Sequence, residues 1–284
     1  MISIIILSYQ NPALLRLCLK SLVAGMKGES DYEVIVVDNA TIIETRNVIT
    51  QEFDGVFPCL KTVAIKENAG YTRGVNEGVR ASSGEYILAL NYDIVVEAGA
   101  VRCLADYLHD HPEIGLIGPR LVNFDGTHQN SYFRFYNPFT IISRRVPLIP
   151  GSHREQTRFT MRNSDPSQPA IVDWVSGAAF MTTRPALERI GYMDESLFHY
   201  FSDVDWAWRF WENGYVVAYY PMAAMFHYHG RTSKGRFGIF DPLFNQATRW
   251  HIKDAIRYFS KHGISGHRPK IQPHRQPQLI TSQP

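Results

Sequence analysis

The sequence predicts an α/β fold: a single Rossmann-like, mostly parallel sheet with helices on both faces, plus a lid insertion and a C-terminal helix. Two observations carry this prediction. Apolar, β-branched runs alternate with helix-like segments through residues 1–120, and this alternation then stops until about residue 171. Parallel strands that are covered on both faces have continuous apolar runs of this kind. The length of 284 residues suffices for one large domain.

The first half contains five strand-like runs, at 2–7, 33–37, 60–65, 86–90 and 114–118. Helix-like segments separate them, and they are expected at 12–22, 41–53, 69–81 and 98–109. Asn11 and Pro12 supply a cap and a first-turn proline for the first helix. This order predicts one parallel β-α-β series over residues 1–120.

The second half begins with residues 121 to about 170, which are rich in Asn, Arg, Pro and aromatic residues and have no sustained period. We interpret this segment as a lid over the sheet. Regular segments return at 171–175, 177–181, 184–190, 203–212, 216–220, 224–227 and 244–259. Few apolar residues occur after Gly263, which predicts a flexible basic tail over 263–284.

Composition excludes some classes of protein. A formal net charge of +2 argues against a nucleic-acid binder, although residues 250–284 hold six basic side chains and one acid. Three cysteines without C-x-x-C spacing, and no basic leader, predict a cytoplasmic protein. No run reaches the roughly 18–20 apolar residues that cross a bilayer. Membrane contact is therefore expected only at the periphery, on the inner face.

Polar side chains follow three of the predicted parallel strands. They are Ser8 and Tyr9 after the first strand, Asp38 after the second, and Asn91 and Asp93 after the fourth. Ligands of open parallel sheets bind at the carboxyl ends of the strands, so these positions predict a binding site. Asp93 is open to two interpretations, a simple turn or a carboxylate that holds a divalent cation on a diphosphate.

Glycines recur every fourth residue along the third predicted helix. Each interior glycine costs about 1 kcal/mol relative to alanine, so a compensating role is expected. Tight packing on the sheet and close approach of a phosphorylated ligand both fit. The residues concerned are Gly70, Gly74 and Gly78, with Asn68, Arg73 and Asn76 as donors. No G-x-G-x-x-G follows a strand, which argues against a nicotinamide or flavin dehydrogenase.

The stretch at 198–209 holds the candidate general base. Ser202 and Asp205 are spaced for a near capping box, and Asp205 also stands four residues before Arg209. Asp203 is expected at the first helical position, facing away from Asp205, where the helix N-terminus favours the ionised carboxylate. Asp203 is therefore the predicted base. A weaker signal is the run that holds His227, His229, Arg231 and Lys234, a phosphate or metal corner.

Together these motifs resemble glycosyltransferase family 2, the inverting family with the GT-A fold, and its rhamnosyltransferase-like members. The resemblance runs from Ile4 to about Ser233. The motifs, in order, are Ile-Leu-Ser8-Tyr9, Val-Val-Asp38-Asn39, Glu-Asn68-Ala-Gly70, Gly74-Val-Asn76-Glu-Gly78, Leu-Asn91-Tyr-Asp93, Gly118-Pro119-Arg120, Trp174-Val-Ser-Gly177, Gly191-Tyr-Met-Asp194-Glu195, Ser-Asp203-Val-Asp205 and His227.

The resemblance implies roles for individual residues. Asp38 would hold the base or ribose of a nucleotide, Asp93 and His227 would hold Mg²⁺ or Mn²⁺, and Asp203 would deprotonate the acceptor hydroxyl. The remaining substrate-binding positions that it implies are Ser8, Tyr9, Asn68, Gly70, Arg73, Asn76, Asn91, Trp174, Gly177 and Asp205. It also implies a nucleotide-sugar half at 1–120 and an acceptor-binding, catalytic half at 121–262.

The implied activity is metal-dependent hexosyl transfer, with dTDP-rhamnose as first donor and a glycan or lipid-linked glycan as acceptor, in polysaccharide synthesis. Tyr92 and Ser202 depart from the family's usual residues, which leaves open a catalytically impaired nucleotide-sugar or glycan-binding protein. A sugar nucleotidyltransferase is disfavoured because no glycine-rich basic signature follows the first strand. Aromatic and arginine residues at 132–145 suggest an approach to a lipid-linked acceptor, or an ordinary lid.

Overall fold

The structure, a computed structural model, describes residues 1–228 and 245–269. Its first half alternates strands and helices, in the order β1 (Ile2–Tyr9), α1 (Pro12–Gly25), β2 (Tyr32–Asn39), α2 (Ile43–Asn47), β3 (Leu60–Ile65), α3 (Gly70–Ala81), β4 (Tyr86–Asn91), β5 (Ile94–Val96), α4 (Ala100–Asp110) and β6 (Ile114–Val122). This confirms the alternation that the apolar runs predict.

The second half contains shorter elements. They are β7 (His128–Gln129), β8 (Tyr132–Phe133), α5 (Pro138–Arg145), α6 (Ser152–Phe159), β9 (Ala170–Ile171), β10 (Trp174–Val175), β11 (Ala179–Thr183), α7 (Arg184–Ile190), α8 (Ser202–Glu212), β12 (Val216–His227) and α9 (Gln246–His262). Among the residues described, no helix is long and apolar enough to span a membrane.

One ten-stranded sheet organises the molecule. Its order is β3-β2-β1-β4-β11-β6-β12-β5, with β7 beside β6 and β9 beside β12. Strands β3, β2, β1 and β4 are mutually parallel, whereas β11 runs antiparallel between β4 and β6. The register pairs Ser8 with Asp38 on neighbouring strands. Helices cover both faces, so the mostly parallel α/β fold is confirmed.

The glycine stripe of α3 packs directly on the sheet. A Cβ atom on Gly74 would overlap Leu7 Cδ1, and one on Gly78 would overlap Ile5 Cγ2. The backbone of α3 therefore lies closer to β1 than any side chain at these two positions would allow. This close packing offsets the helix-propensity cost of the glycines.

Three predicted elements differ from the structure. Residues 41–53 do not form one α-helix, because the short α2 continues as a π-helical turn at Val48–Glu52. The segments at 216–220 and 224–227 form the single strand β12, whose register on β6 shifts between Tyr220 and Ala224. Pro221 lies within that shift, and it has no N–H for the ladder.

The lid at 121–170 contains more regular structure than its composition predicts. Helix α5 begins with a full capping box, in which Asn137 and Thr140 bind each other's backbone N–H. It packs against α6, the second eight-residue helix of this segment. Helices this short leave no sustained period in the sequence.

The segment after α9 contacts the domain over residues 263–269, where the sequence predicts a flexible tail. Arg268 Nε donates a 2.6 Å hydrogen bond to Asp173 Oδ1, and its guanidinium lies 4.0 Å from the ring centre of Trp211. A Cβ on Gly266 would lie 3.1 Å from Asn137 Cβ. Residues 270–284 of the predicted tail lie outside the described residues.

Candidate active site

Asp203 lies at the second residue of α8 and is held by backbone on two sides. Its Oδ2 accepts a 2.9 Å hydrogen bond from the N–H of Gly177, and its Oδ1 accepts one of 3.0 Å from the N–H of Val204. Burial raises the pKa of Asp203 to about 6, although these two hydrogen bonds favour the ionised form. A carboxylate with this pKa is a suitable general base near neutral pH.

The start of α8 differs from the predicted capping box. The cap residue is Phe201, in the left-handed region with a φ of 62°, rather than Ser202. Ser202 Oγ is buried and has no partner among the described residues. A bulky residue in the left-handed region costs of order 1–3 kcal/mol, and such strain clusters at functional sites.

Asp203 lines a small aromatic cavity with a volume of about 120 Å³. Its lining residues come from the lid, from β10, from the loop before α8, from the start of α8 and from α9. They are Tyr136, Trp174, His199, Tyr200, Phe201, Asp203, Val204 and His251. Asp203 thus presents its carboxylate to a pocket whose other walls are mainly aromatic rings.

Gly177 joins Asp203 to α3. Its N–H binds Asp203, and its carbonyl accepts a 2.6 Å hydrogen bond from the Tyr71 hydroxyl. A Cβ atom on Gly177 would lie 2.8 Å from the Tyr71 hydroxyl and 3.3 Å from Asp203 Oδ2, so only glycine fits here without a shift. Burial, and then the charge of Asp203, raises the pKa of Tyr71 well above its ordinary value.

The loop before Asp203 is held by Asp254 of α9, which the sequence does not single out as a site residue. The N–H groups of Phe198, His199 and Tyr200 donate to its two carboxylate oxygens, at 3.3, 3.1 and 3.0 Å. Asp254 is fully buried. The sequence contains one indication that Asp254 has a specific partner, because it is the only acid in the basic stretch 250–284.

Asp205 does not reach the cavity. It is 0% exposed, and its oxygens accept hydrogen bonds from Arg209 at 3.2 Å and Lys261 at 2.5 Å, with His262 Nε2 at 2.7 Å. Burial opposes ionisation, but the bonds from His262 and Lys261 and the charge of Arg209 outweigh it and lower the pKa of Asp205. The predicted pair with Arg209 is confirmed, while the capping box with Ser202 is wrong.

The carboxyl ends of β1 and β2 carry two orphaned polar atoms. Ser8 Oγ and Asp38 Oδ1 are buried and have no hydrogen-bond partner among the described residues. Burial raises the pKa of Asp38. The two residues are register partners on adjacent strands, so one ligand could satisfy both. Tyr9, the next residue of β1, is exposed.

Asp93 lies in the turn between β4 and β5, beside His227. The distance from Asp93 Oδ1 to His227 Nε2 is 3.5 Å, and His227 Nδ1 lies 3.1 Å from Gln129 Oε1. Residues 1–228 and 245–269 contain no group of three or more side chains placed to hold a metal ion. A cation at Asp93 would need its other ligands from water or from a phosphate group, an arrangement that Mg²⁺ often has. His229, Arg231 and Lys234 lie outside the described residues.

Of the donor positions predicted around α3, Asn68 and Arg73 are exposed, whereas Asn76 is buried. Asn68 Oδ1 accepts hydrogen bonds from the N–H of Gly70 at 2.9 Å and from Asn39 Nδ2 at 3.3 Å. Arg73 is 58% exposed and lies 3.8 Å from Glu77. Asn76 is buried away from solvent, and its amide bonds both backbone groups of Met193.

Backbone contacts connect the sheet edge with the loop before α8. The N–H of Asn91 donates to Ala178 O at 2.9 Å, directly beside Gly177. The N–H of Tyr71 donates to Phe198 O at 2.9 Å. The structure therefore brings Trp174, Gly177 and Asp203 together and joins them to Asn91. It leaves Asn76 and Asp205 in buried structural contacts, and Asp38 and Asp93 at the sheet edge.

Comparisons with known proteins agree with this fold. Residues 3–189 match a family model described as Glycosyl transferase family 2. The N-acetylglucosaminyl-diphospho-decaprenol L-rhamnosyltransferase of Mycobacterium tuberculosis is 26% identical over 231 residues, or 73% of this chain and 70% of that protein. The low-salt glycan biosynthesis hexosyltransferase Agl10 of Haloferax volcanii is also 26% identical, over 73% of this chain and 61% of the relative.

A solved structure shows the same architecture. The mannosyltransferase PcManGT from Pyrobaculum calidifontis, in complex with GDP-Man and Mn²⁺, has a TM-score of 0.61 at 18% identity. The match covers 94% of this chain and 65% of that one. The chain thus spans about two thirds of the length of these proteins, and the predicted GT-A type of fold is confirmed.

Proposed function

The chain belongs to glycosyl transferase family 2, and from that membership we propose that it is an inverting, metal-dependent hexosyltransferase. The proposed reaction transfers a sugar from a nucleotide-diphosphate donor to a hydroxyl of a glycan or lipid-linked glycan in cell-surface polysaccharide synthesis. Rhamnose is the first candidate sugar, supported by the similarity to the mycobacterial L-rhamnosyltransferase.

One observation carries the proposal, the fixed carboxylate of Asp203 at the wall of an aromatic cavity. Asp203 takes the proton of the acceptor hydroxyl as its oxygen attacks the anomeric carbon. The bond from that carbon to the phosphate oxygen breaks on the opposite face, and the nucleoside diphosphate leaves with the bonding electrons. A single displacement of this kind inverts the anomeric configuration.

The donor is proposed to lie along the carboxyl ends of the parallel strands. Ser8 and Asp38 offer two buried, unsatisfied polar atoms at one edge, which supports binding of a nucleotide's base or ribose there. Asn68, Gly70 and the exposed Arg73 are proposed to line the sugar-diphosphate path. Tyr9 and Asn91 flank this edge. Asn76 and Asp205 are proposed as supports that do not touch the substrate.

Asp93 is the proposed cation ligand, with His227 beside it. Asp93 Oδ1 is buried and accepts no hydrogen bond within the described residues, which suits a carboxylate that coordinates an ion. A bound Mg²⁺ or Mn²⁺ would neutralise charge on the departing diphosphate as a Lewis acid. Asp93 would hold that ion from the turn between β4 and β5, where the backbone carbonyl of Asp93 accepts a 2.9 Å hydrogen bond from the N–H of Tyr228.

The acceptor is proposed to enter the aromatic cavity beside Asp203. Trp174 and Tyr136 stack with their ring centres 5.7 Å apart and form part of its wall. Near it, the C-terminal end of α5 and the segment that follows it expose Arg144, Arg145, Val146 and Leu148, of which Leu148 is 94% exposed. We propose that this basic, apolar segment makes a peripheral contact with the inner face of a cytoplasmic membrane, where it approaches a lipid-linked acceptor.

The test is a panel of nucleotide sugars, dTDP-rhamnose included, with Mg²⁺ or Mn²⁺. Binding is read by thermal stabilisation and transfer by product formation, in wild type and in Asp203→Asn. Wild-type transfer that is lost in Asp203→Asn supports the proposal. Stabilisation without transfer by either protein supports instead a catalytically impaired nucleotide-sugar or glycan-binding protein. Co-sedimentation with anionic liposomes at low salt tests the membrane contact.

A further inference from the structure

His251 of α9 lies in the same cavity as Asp203 but has no role in the reaction described above. Its ring centre lies 4.9 Å from that of Tyr200 and 5.2 Å from that of Phe201. Its Nδ1 is buried and finds no hydrogen-bond partner within residues 1–228 and 245–269. Helix α9 lies beyond residues 3–189, so the family model assigns nothing to this position.

An unsatisfied buried nitrogen is costly, by roughly 1–3 kcal/mol, and therefore calls for a partner. Two other polar groups on the cavity wall are already engaged. The Tyr136 hydroxyl accepts a 2.8 Å hydrogen bond from Arg144, and the Trp174 indole donates one of 2.9 Å to Arg134 O. His251 Nδ1 is thus available for a ligand that enters the cavity.

The imidazole of His251 is neutral at physiological pH. Burial, together with the nearby charges of Arg145 and Arg144, lowers its pKa to about 4. A neutral imidazole has one donor and one acceptor nitrogen, which matches a sugar hydroxyl in either direction. It does not compete with Asp203 for the proton of the nucleophile, because Asp203 has the higher pKa.

The size of the cavity favours an acceptor sugar. Its volume of about 120 Å³ is below the roughly 300–1,000 Å³ of clefts that bury a drug-sized ligand, so it can enclose part of one sugar ring and not a nucleoside diphosphate. The orphaned atoms of Ser8 and Asp38 lie instead at the sheet edge. Aromatic walls pack against the C–H faces of a sugar, while two polar side chains read its hydroxyls.

We propose that His251 is a specificity-determining residue, which binds a second hydroxyl of the acceptor sugar through Nδ1 while Asp203 faces the hydroxyl that reacts. The inference rests on the proposed function and deepens it. Two fixed polar groups orient one ring, so His251 selects which acceptor hydroxyl lies against Asp203. A site that hydrogen-bonds a hydroxyl also rejects sugars that lack it.

Three substitutions separate this role from packing. His251→Asn keeps a polar group close to the position of Nδ1, His251→Gln moves it toward the position of Nε2, and His251→Phe keeps only the ring. The probes are methyl glycosides of N-acetylglucosamine, glucose, galactose, mannose and rhamnose, with product linkage read by NMR. Ile252→Ala, on the exposed side of the same helix turn, is the matched control.

We expect His251→Phe to raise the acceptor KM about 10-fold, the loss of one hydrogen bond of about 1.4 kcal/mol, and to mix the product linkages. The donor KM changes little. His251→Asn recovers most of the wild-type acceptor KM, and His251→Gln does not. Equal acceptor KM and a single linkage in wild type and His251→Phe would overturn the inference.

A second measurement separates this inference from the proposed function. In protein with ¹⁵N-labelled histidine, the ring signal missing from His251→Asn identifies His251. A glycoside that shifts this signal without any transfer supports a glycan site at His251 and counts against the enzyme. Transfer without a shift of this signal overturns the role of His251 but leaves the proposed enzyme activity supported. The absence of a shift with every glycoside of the panel also overturns the role of His251.

Discussion

Asp203 and Gly177, 26 positions apart, are joined by a 2.9 Å hydrogen bond from the glycine N–H to the carboxylate Oδ2. The opposite oxygen is held by Val204 of the same helix. Tyr71 in turn binds the carbonyl of Gly177. The carboxylate is therefore oriented by main-chain groups from two elements, independently of any substrate.

Asp203→Asn removes the proposed base while it keeps the side-chain shape. We expect kcat to fall about 10²–10⁴-fold, the usual contribution of a general base, with donor affinity nearly unchanged. The acid limb of the wild-type rate profile should show an apparent pKa of about 6. Rates at several pH values check both, with the exposed Asp106→Asn as control. A wild-type rate in Asp203→Asn would remove it as base.

Asp203 also makes stability depend on pH. Its pKa is about 6 in the folded protein against 3.8 for an ordinary Asp, so the folded state binds this proton more tightly than the unfolded state. Wild type therefore loses stability relative to Asp203→Asn as pH rises from 4 to 7, by up to about 3 kcal/mol. Urea unfolding of both proteins across this range measures the difference. A pH-independent difference would show that the pKa is not raised.

Gly177→Ala places a Cβ atom 2.8 Å from the Tyr71 hydroxyl. We expect it to lower the free energy of unfolding by about 1–3 kcal/mol and to reduce transfer, because the backbone that holds Asp203 must shift. Adding Tyr71→Phe removes the clashing oxygen and should recover part of both losses. Gly25→Ala is the control, since its Cβ finds atoms only at 3.4 Å or beyond. Thermal melts and rates that match this control would contradict the clash.

Asp93→Asn tests the proposed cation site. Transfer by wild type should stop in EDTA and return with Mn²⁺ or Mg²⁺, whereas Asp93→Asn should need about 10–100-fold more metal for half-maximal rate. Glu97→Gln, an exposed acid just after β5, is the control. Metal titrations of the three proteins give the comparison. Unaltered metal dependence in Asp93→Asn would move the cation elsewhere.

Asp254→Asn weakens the anchor of the loop before Asp203. Three backbone N–H groups lose a charged acceptor, so we expect the free energy of unfolding to fall by roughly 1.5–3 kcal/mol. The kcat should also fall at temperatures below the melting temperature, where the variant is still folded, because the loop that positions Asp203 loosens. Denaturant unfolding and initial rates measure both effects. Lys253→Ala, exposed on the same helix, is the control, and equal behaviour of the two variants would argue against the anchor.

The sequence predicts best what depends on neighbouring residues. The strands of the first half follow from local apolar runs, and the ends of those strands place Ser8, Asp38 and Asn91 at one edge. Asp203 is correctly expected near the start of α8. These positions follow from the side-chain periods of strands and helices, 2 and 3.6 residues, which are visible within a short stretch of sequence.

What the sequence misses depends on contacts between distant segments. Asp205 has the spacing of a capping box with Ser202, yet its hydrogen-bond partners Lys261 and His262 come 56 and 57 residues later. Asp254 acts on a loop 54 to 56 residues earlier. No local pattern encodes such pairings, because they arise only when α9 packs against the loop that precedes α8.

The position of α9 also sets the order in which a nascent chain can become active. A ribosome has released all strands of the sheet before residues 246–268 emerge, and until then Asp205 and Asp173 lack their partners Lys261 and Arg268. The loop at 198–200 likewise lacks the carboxylate of Asp254 until then. The strand ends that carry Ser8 and Asp38 therefore emerge well before α9, and the cavity beside Asp203 can be completed only when α9 has followed.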